Sequence, residues 1–141
     1  MVLLIDDNVI LDVLQNRQPH YQHSRFVWEM CGRGNAEGYV SALTFADIVY
    51  IMRKEVAYDE IFDLLANVSK IFRFVDLTLG DLRTAAIMKW RDFEDAVQSA
   101  TASRIGADYI ITRNNKDFNG SSVRAITPEE YFSEVFTVEE E

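Results

Sequence analysis

Two apolar runs restrict what this chain can fold into: VLLI at residues 2–5 and the core of ADYIIT at residues 107–112. Both are short, rich in branched side chains and free of polar alternation. That is the pattern of a strand buried on both faces, which belongs in a helix-covered parallel sheet. The intervening segments carry helical periodicity. Asn8 can cap a helix bearing Val9, Ile10, Val13 and Leu14, and Gln18-Pro19 interrupts it. Tyr21 to Met30 reads as a second helix. Gly32, Gly34 and Gly38 mark a loop before a short strand, Tyr39 to Ser41. The next helix carries Phe45, Ile48, Val49 and Met52, with Thr44 and Asp47 at capping-box spacing.

Further helices are expected over Asp59–Val68, Leu79–Trp90 and Phe93–Ile105, and strands over Ile71–Val75 and Val123–Ile126. Gly106 suits the position just past a helix end. Thr127 caps a last helix that begins at Pro128. Strands alternate with helices throughout, so the expected fold is an α/β sandwich around a mainly parallel sheet. Residues 1–136 form one domain, and the acidic end, residues 137–141, is expected to fray.

Length and composition agree with a single domain: 141 residues, 48% of them hydrophobic, can bury a core without disulfide or metal support. The lone Cys31 lies among apolar neighbours and reads as a small buried hydrophobe, which fits a reducing cytoplasmic setting. VLLI is too short for a targeting segment, and no apolar run approaches membrane-spanning length. A net charge of −9 argues against a general nucleic-acid-coating protein. It does not exclude a nuclease, because divalent cations offset local carboxylates.

Acids fall where the strands end. Asp6 and Asp7 follow the first strand, and Asp47 follows the second. Asp92 and Asp95 open the helix before the fourth, and Thr112, Asn114 and Asp117 follow that strand. In open α/β sheets the site lies beyond the carboxyl ends of the strands, so these groups converge. Carboxylates gathered in one cleft repel unless a cation sits among them. Oxygen-only sites suit hard ions such as Mg²⁺. Each acid alone is equally at home as an ordinary helix N-terminal charge. His20 and His23 lack a third ligand and read as a solvent-facing or hydrogen-bonded pair.

LLIDDNVILDVLQNRQPHY, VSALTFADIVYIMRK, DFEDAVQSATASRIGADYIITRNNKDF and SSVRAITPEEYF together resemble the blocks of the PIN-domain ribonucleases, in order and over nearly the whole chain. They are most similar to the small single-domain kind, the VapC-like toxins. The resemblance implies a three-layer α/β/α sandwich with a mainly parallel sheet of about five strands. It implies an acidic quartet of Asp6, Asp47, Asp95 and Asp117. Asp6, Asp95 and Asp117 would hold Mg²⁺ or Mn²⁺, with Asp47 completing the shell directly or through water. Asn8, Asp92, Thr112 and Asn114 match accessory polar positions. The chain departs from the family twice: Asp47 stands where Glu is usual, and Asp7 where Ser or Thr is usual. By strand alternation Asp7 should point away from Asp6 and act as a helix N-terminal charge.

The implied activity is hydrolysis of RNA phosphodiester bonds, with Lys89, Arg91, Arg113 and Lys116 as candidate phosphate contacts. The implied partners are RNA, a small antitoxin covering the cleft, and a second copy of the chain. Trp28, Tyr50 and Phe26 are candidates for a partner face or for the core. Two readings of other classes stay open. One is a PIN-like binding or regulatory module with weak or no catalysis. The other is a phospho-receiver built on Asp76, which follows the third strand but stands far from Asp6 in sequence and lacks the Lys a receiver needs.

Overall fold

The computed structural model describes the backbone of residues 1–140 and the side chains of residues 1–135. The fraying expected at 137–141 lies outside the fully described residues. The strands are β1 (Val2–Ile5), β2 (Glu37–Ser41), β3 (Arg73–Val75), β4 (Tyr109–Ile111) and β5 (Ala125–Ile126). They form one sheet in the order β3-β2-β1-β4-β5, every neighbouring pair parallel. The chain builds outward from β1 on one side and returns to its other side with β4. Between β1 and β4 the strand order reverses, and there the sheet opens a crevice at its carboxyl end.

The helices are α1 (Asp7–Leu14), α2 (Tyr21–Gly32), α3 (Ala42–Met52), α4 (Tyr58–Ile71), α5 (Leu79–Met88), α6 (Phe93–Arg104) and α7 (Pro128–Glu140). Val9, Ile10, Val27, Ile48, Met52, Ile61, Val68 and Tyr131, from α1, α2, α3, α4 and α7, share one large core with Leu3, Ile5 and Ile111. On the opposite face α6 packs on β1 and β4 and against α5, with Ala85, Ala96 and Val97 between those two helices. This is a three-layer α/β/α sandwich. Trp28 is core, edge-on to Phe72 at 5.1 Å, and Phe26 packs against Phe132 at 4.8 Å. Tyr50 is exposed, with the Arg53 guanidinium 3.9 Å from its ring centroid.

Three details differ from the sequence expectations. Asp6, not Asn8, caps α1: its backbone is extended and its Oδ1 accepts the Asp7 N–H at 2.9 Å. Asn8 lies inside the helix, where its amide is more useful. Ser41, not Thr44, caps α3, accepting the Leu43 N–H at 3.2 Å. Thr44 is therefore a buried residue within the helix. Several elements are a residue or two shorter or longer than periodicity indicates, as is usual at frayed ends. Thr127 does cap α7, in a reciprocal pair with Glu130. Among the described residues no helix is long and apolar enough to cross a membrane.

Gly38 in β2 marks the tightest packing against the sheet. A Cβ there would stand 2.6 Å from the Cys31 sulfur and 2.7 Å from the Phe72 ring. Both neighbours are buried, and burial pushes the Cys31 thiol up to about 12. Gly38→Ala is expected to destabilise the fold by about 1–3 kcal/mol through overpacking, read from the midpoint of urea unfolding.

Candidate functional site

At the switch point Asp6 N–H donates to Ile111 O at 3.0 Å, which sets residue 6 beside residue 112. The Asp6 carboxylate is held from several directions. Oδ2 accepts the Thr112 hydroxyl at 2.8 Å and Asn8 Nδ2 at 3.5 Å. Oδ1 accepts the Asp7 N–H and, at 3.5 Å, Gln98 Nε2. Asn8 also binds forward, its Oδ1 accepting the Arg113 N–H at 3.2 Å. Thr112 Oγ1 accepts the Asn114 N–H at 3.1 Å. These bonds stitch the end of β1 to the loop after β4.

Around Asp6 lies a polar cleft of about 190 Å³. Asp7 comes from the first turn of α1, Thr44 and Asp47 from α3, Glu94, Asp95 and Gln98 from α6, and Asn114 and Asp117 from beyond β4. Asp92 lines it as well, and its side chain caps α6 by accepting the Asp95 N–H at 3.1 Å. The fold thus brings Asp6, Asp47, Asp95 and Asp117 to one place, with Asn8, Asp92 and Asn114 beside them. Thr112 is buried beneath, acting on Asp6.

Asp7 does not turn away. The alternation rule fails because the chain has left β1 by residue 6 and residue 7 is already helical. Asp7 is a helix N-terminal charge, as expected, and a wall of the cleft as well. Glu94 is a wall residue that the sequence reading overlooked. It lies one position before Asp95 in the first turn of α6, close enough to Asp47 that the Asp47 charge, after burial, raises its carboxyl. Its signal was only the extra acid in DFED.

The basic residues divide. Arg91 and Lys116 line a depression that continues the cleft past Asp92, Asp95 and Asp117, with Trp90 beside them. Arg113 is directed elsewhere: its Nε stands 3.0 Å from Oδ2 of the fully buried Asp12, which also accepts the Ser24 hydroxyl at 2.8 Å. Lys89 is a left-handed residue ending α5, exposed and off the cleft. His20 and His23 line a separate cavity with Arg113, and His23 packs edge-on to Phe132 at 5.7 Å. Asp76 is not part of the cleft. Its backbone carbonyl accepts a bond from Arg104.

Crowding shows in the protonation equilibria. Burial, and then the Asp7 charge, push the Asp6 carboxyl from 3.8 to about 6, against the hydrogen bonds from Thr112, Asp7 and Gln98. Burial, and then Asp92, Asp6 and Asp117, push Asp95 to about 7. Asp7, Asp47 and Glu94 are each raised, chiefly by burial and then by one another or their acidic neighbours. Every donor in this set is an oxygen, so the residues fit a hard divalent cation. Among the described residues no three carboxylates, thiols or imidazoles are gathered tightly enough to ligate one ion directly. One or two carboxylates with water is the arrangement Mg²⁺ usually takes.

The model of the PIN domain family matches residues 2–116. The chain belongs to that family. Its fold is similar to VapBC-1 from nontypeable Haemophilus influenzae, with a TM-score of 0.71 at 14% identity, covering 92% of this chain and 99% of that one. A toxin–antitoxin complex from Klebsiella pneumoniae gives 0.69 at 21% identity, covering 89% and 97%. The sarcin–ricin loop cleaving toxin VapC20 of Mycobacterium tuberculosis gives 0.62 at 12% identity, covering 77% and 86%. No curated protein matches the chain at a significant level.

The raised carboxyls predict a pH dependence. Asp6 and Asp95 hold protons more tightly folded than unfolded, so between about pH 4 and pH 7 the native chain binds more protons. These groups therefore favour the fold at low pH, and that advantage is lost as pH rises through the window. Melting in a chelator should show this contribution as lower stability at pH 8 than at pH 5. Added Mn²⁺ should raise the midpoint more at pH 8, where the ligands are ionised.

Proposed function

We propose that this PIN-domain protein is a metal-dependent endoribonuclease that hydrolyses RNA phosphodiester bonds, and that it is the toxin of a toxin–antitoxin pair. The observation that carries the reading is the convergence of Asp6, Asp47, Asp95 and Asp117 in one cleft at the switch point of the sheet. Asp6, Asp95 and Asp117 would hold Mg²⁺ or Mn²⁺, one or two of them directly and the rest through water, with Asp47 completing the shell directly or through water. A bound ion of this kind polarises a phosphoryl oxygen and lowers the pKa of a water. The chain's own residues supply position. Thr112, Asn8 and the Asp7 N–H fix the Asp6 oxygens, and the Asp92 cap fixes the first turn of α6 under Asp95.

Glu94 answers the short reach of Asp47. A Glu at residue 47 would extend one methylene further. Here the longer side chain comes from α6 and lines the cleft with Asp47. Arg91 and Lys116, flanking the adjoining depression, are the phosphate contacts this geometry favours. Arg113 is committed to Asp12. A small antitoxin laid over the cleft, with a cation among its carboxylates, would inhibit by neutralising the same charge. The chain would act as a homodimer, as light scattering would register.

Cleavage of RNA should require Mn²⁺ or Mg²⁺, and Asp6→Asn should reduce it to background. Undiminished cleavage by that variant would sink the assignment. A wild-type chain that neither binds Mn²⁺ in calorimetry nor cleaves RNA would instead be a binding module. Glu94→Gln should weaken Mn²⁺ binding by up to about tenfold, by removing one of the negative charges that line the cleft.

A further inference from the structure

Gln98 sits one turn beyond Asp95 on α6 and is only 4% exposed. Its Nε2 donates to the Thr44 hydroxyl at 2.8 Å and reaches Asp6 Oδ1 at 3.5 Å. Thr44, 2% exposed, lies one turn before Asp47 on α3. One side chain therefore ties together the three elements that carry Asp6, Asp47 and Asp95. Its other polar atom is unusual. Gln98 Oε1 is buried and has no hydrogen-bond partner in the protein, although the residue lines the cleft.

A buried amide oxygen without a donor is rare and costly in native proteins. The carboxylates around it are acceptors too, so they do not satisfy it unless protonated. Exchanging the amide's two ends would set an oxygen 3.5 Å from the Asp6 carboxylate in place of the N–H that binds it. That oxygen is sealed from the cleft's water as well as from protein donors, so the amide is kept in place by what its Nε2 holds together.

We propose that Gln98 is a positioning residue of the cleft, its Nε2 holding Asp6 and Thr44 in the arrangement that takes a divalent cation. This rests on the cleft being a metal centre. Gln98 acts through Asp6 and Thr44. Partners of this kind commonly set metal affinity by tenfold to a hundredfold.

The test is Mn²⁺ calorimetry on the folded protein, with thermal unfolding in a chelator as the control for structure. Gln98→Leu should weaken Mn²⁺ binding by about ten- to a hundredfold, while the chelated protein melts no lower than wild type. Thr44→Val should weaken binding in the same direction, and Thr44→Ser, which keeps the hydroxyl, should restore it. A folded Gln98→Leu that binds Mn²⁺ within about twofold of wild type overturns the proposal, twofold being well inside the range such partners span. If Gln98→Leu does not fold, equal affinities for Thr44→Val and Thr44→Ser overturn it. Wild type that binds no Mn²⁺ removes the metal reading itself, and this proposal with it.

Discussion

The hydrogen bond from the Thr112 hydroxyl to Asp6 Oδ2, 2.8 Å long, is the joint on which the site is built. It exists because β1 and β4 pair in parallel with Ile5 opposite Ile111. That register sets the next residue of each strand, an acid and a hydroxyl, side by side. The residues that fix the register are immovable: Leu3, Leu4, Ile5, Ile110 and Ile111 are all fully buried. Asp6 thus inherits the rigidity of the core. A site mounted on packed strand ends keeps its geometry better than one on free loops. Asp7, Glu94 and Asp95 reach the same point from helix first turns capped by Asp6 and Asp92, Asp47 from the second turn of α3, and Asp117 from the short helical turn Asn115–Phe118.

This placement opposes folding. Desolvated like charges raise one another's pKa, and the metal-free chain keeps protons on Asp6 and Asp95 to near neutrality. The stability to tolerate it comes from elsewhere. Asp81, on α5 and 3% exposed, receives the Arg104 guanidinium from the end of α6 at 2.9 Å and is tied by the Thr78 cap. The fully buried Asp12 and the partly exposed Arg113 make a second ion pair. Losing one partner from such a pair costs far more than the pair itself contributes. Arg113 is therefore poorly suited to leave Asp12 for a substrate phosphate.

What could be read from the sequence follows from local periodicity. VLLI and ADYIIT have no other comfortable place than a two-sided sheet, and a parallel sheet fixes which end collects the acids. Asp6, Asp7, Asp47, Asp92, Asp95 and Asp117 are gathered by that rule, and the resemblance to the PIN-domain blocks singles out Asp6, Asp47, Asp95 and Asp117 among them. The failures share one cause: they depended on contacts between residues remote in sequence or on a boundary one residue away. Arg113 looked like a phosphate contact because Asp12 lies far from it in the chain. Asp7 was assigned the wrong direction because the strand ends sooner than alternation assumes. Gln98 and Thr44 carry no motif, and their importance is visible only where α3 and α6 meet.

Charge counting limits how RNA could enter. Seven carboxyl groups line the cleft: Asp6, Asp7, Asp47, Asp92, Glu94, Asp95 and Asp117. One divalent ion offsets two charges. An ion held by Asp6 and Asp95 would displace their protons, so protons do not offset the rest, and a phosphodiester still meets a negative field. Asp7 deepens that field, as does Glu94. A polyanion must therefore approach over Arg91 and Lys116, or arrive with cations of its own. The same field would attract a cationic side chain strongly, so a basic inhibitor and the catalytic ion would compete for one place. In this chain the extra acids bias that competition toward whichever ligand brings more positive charge.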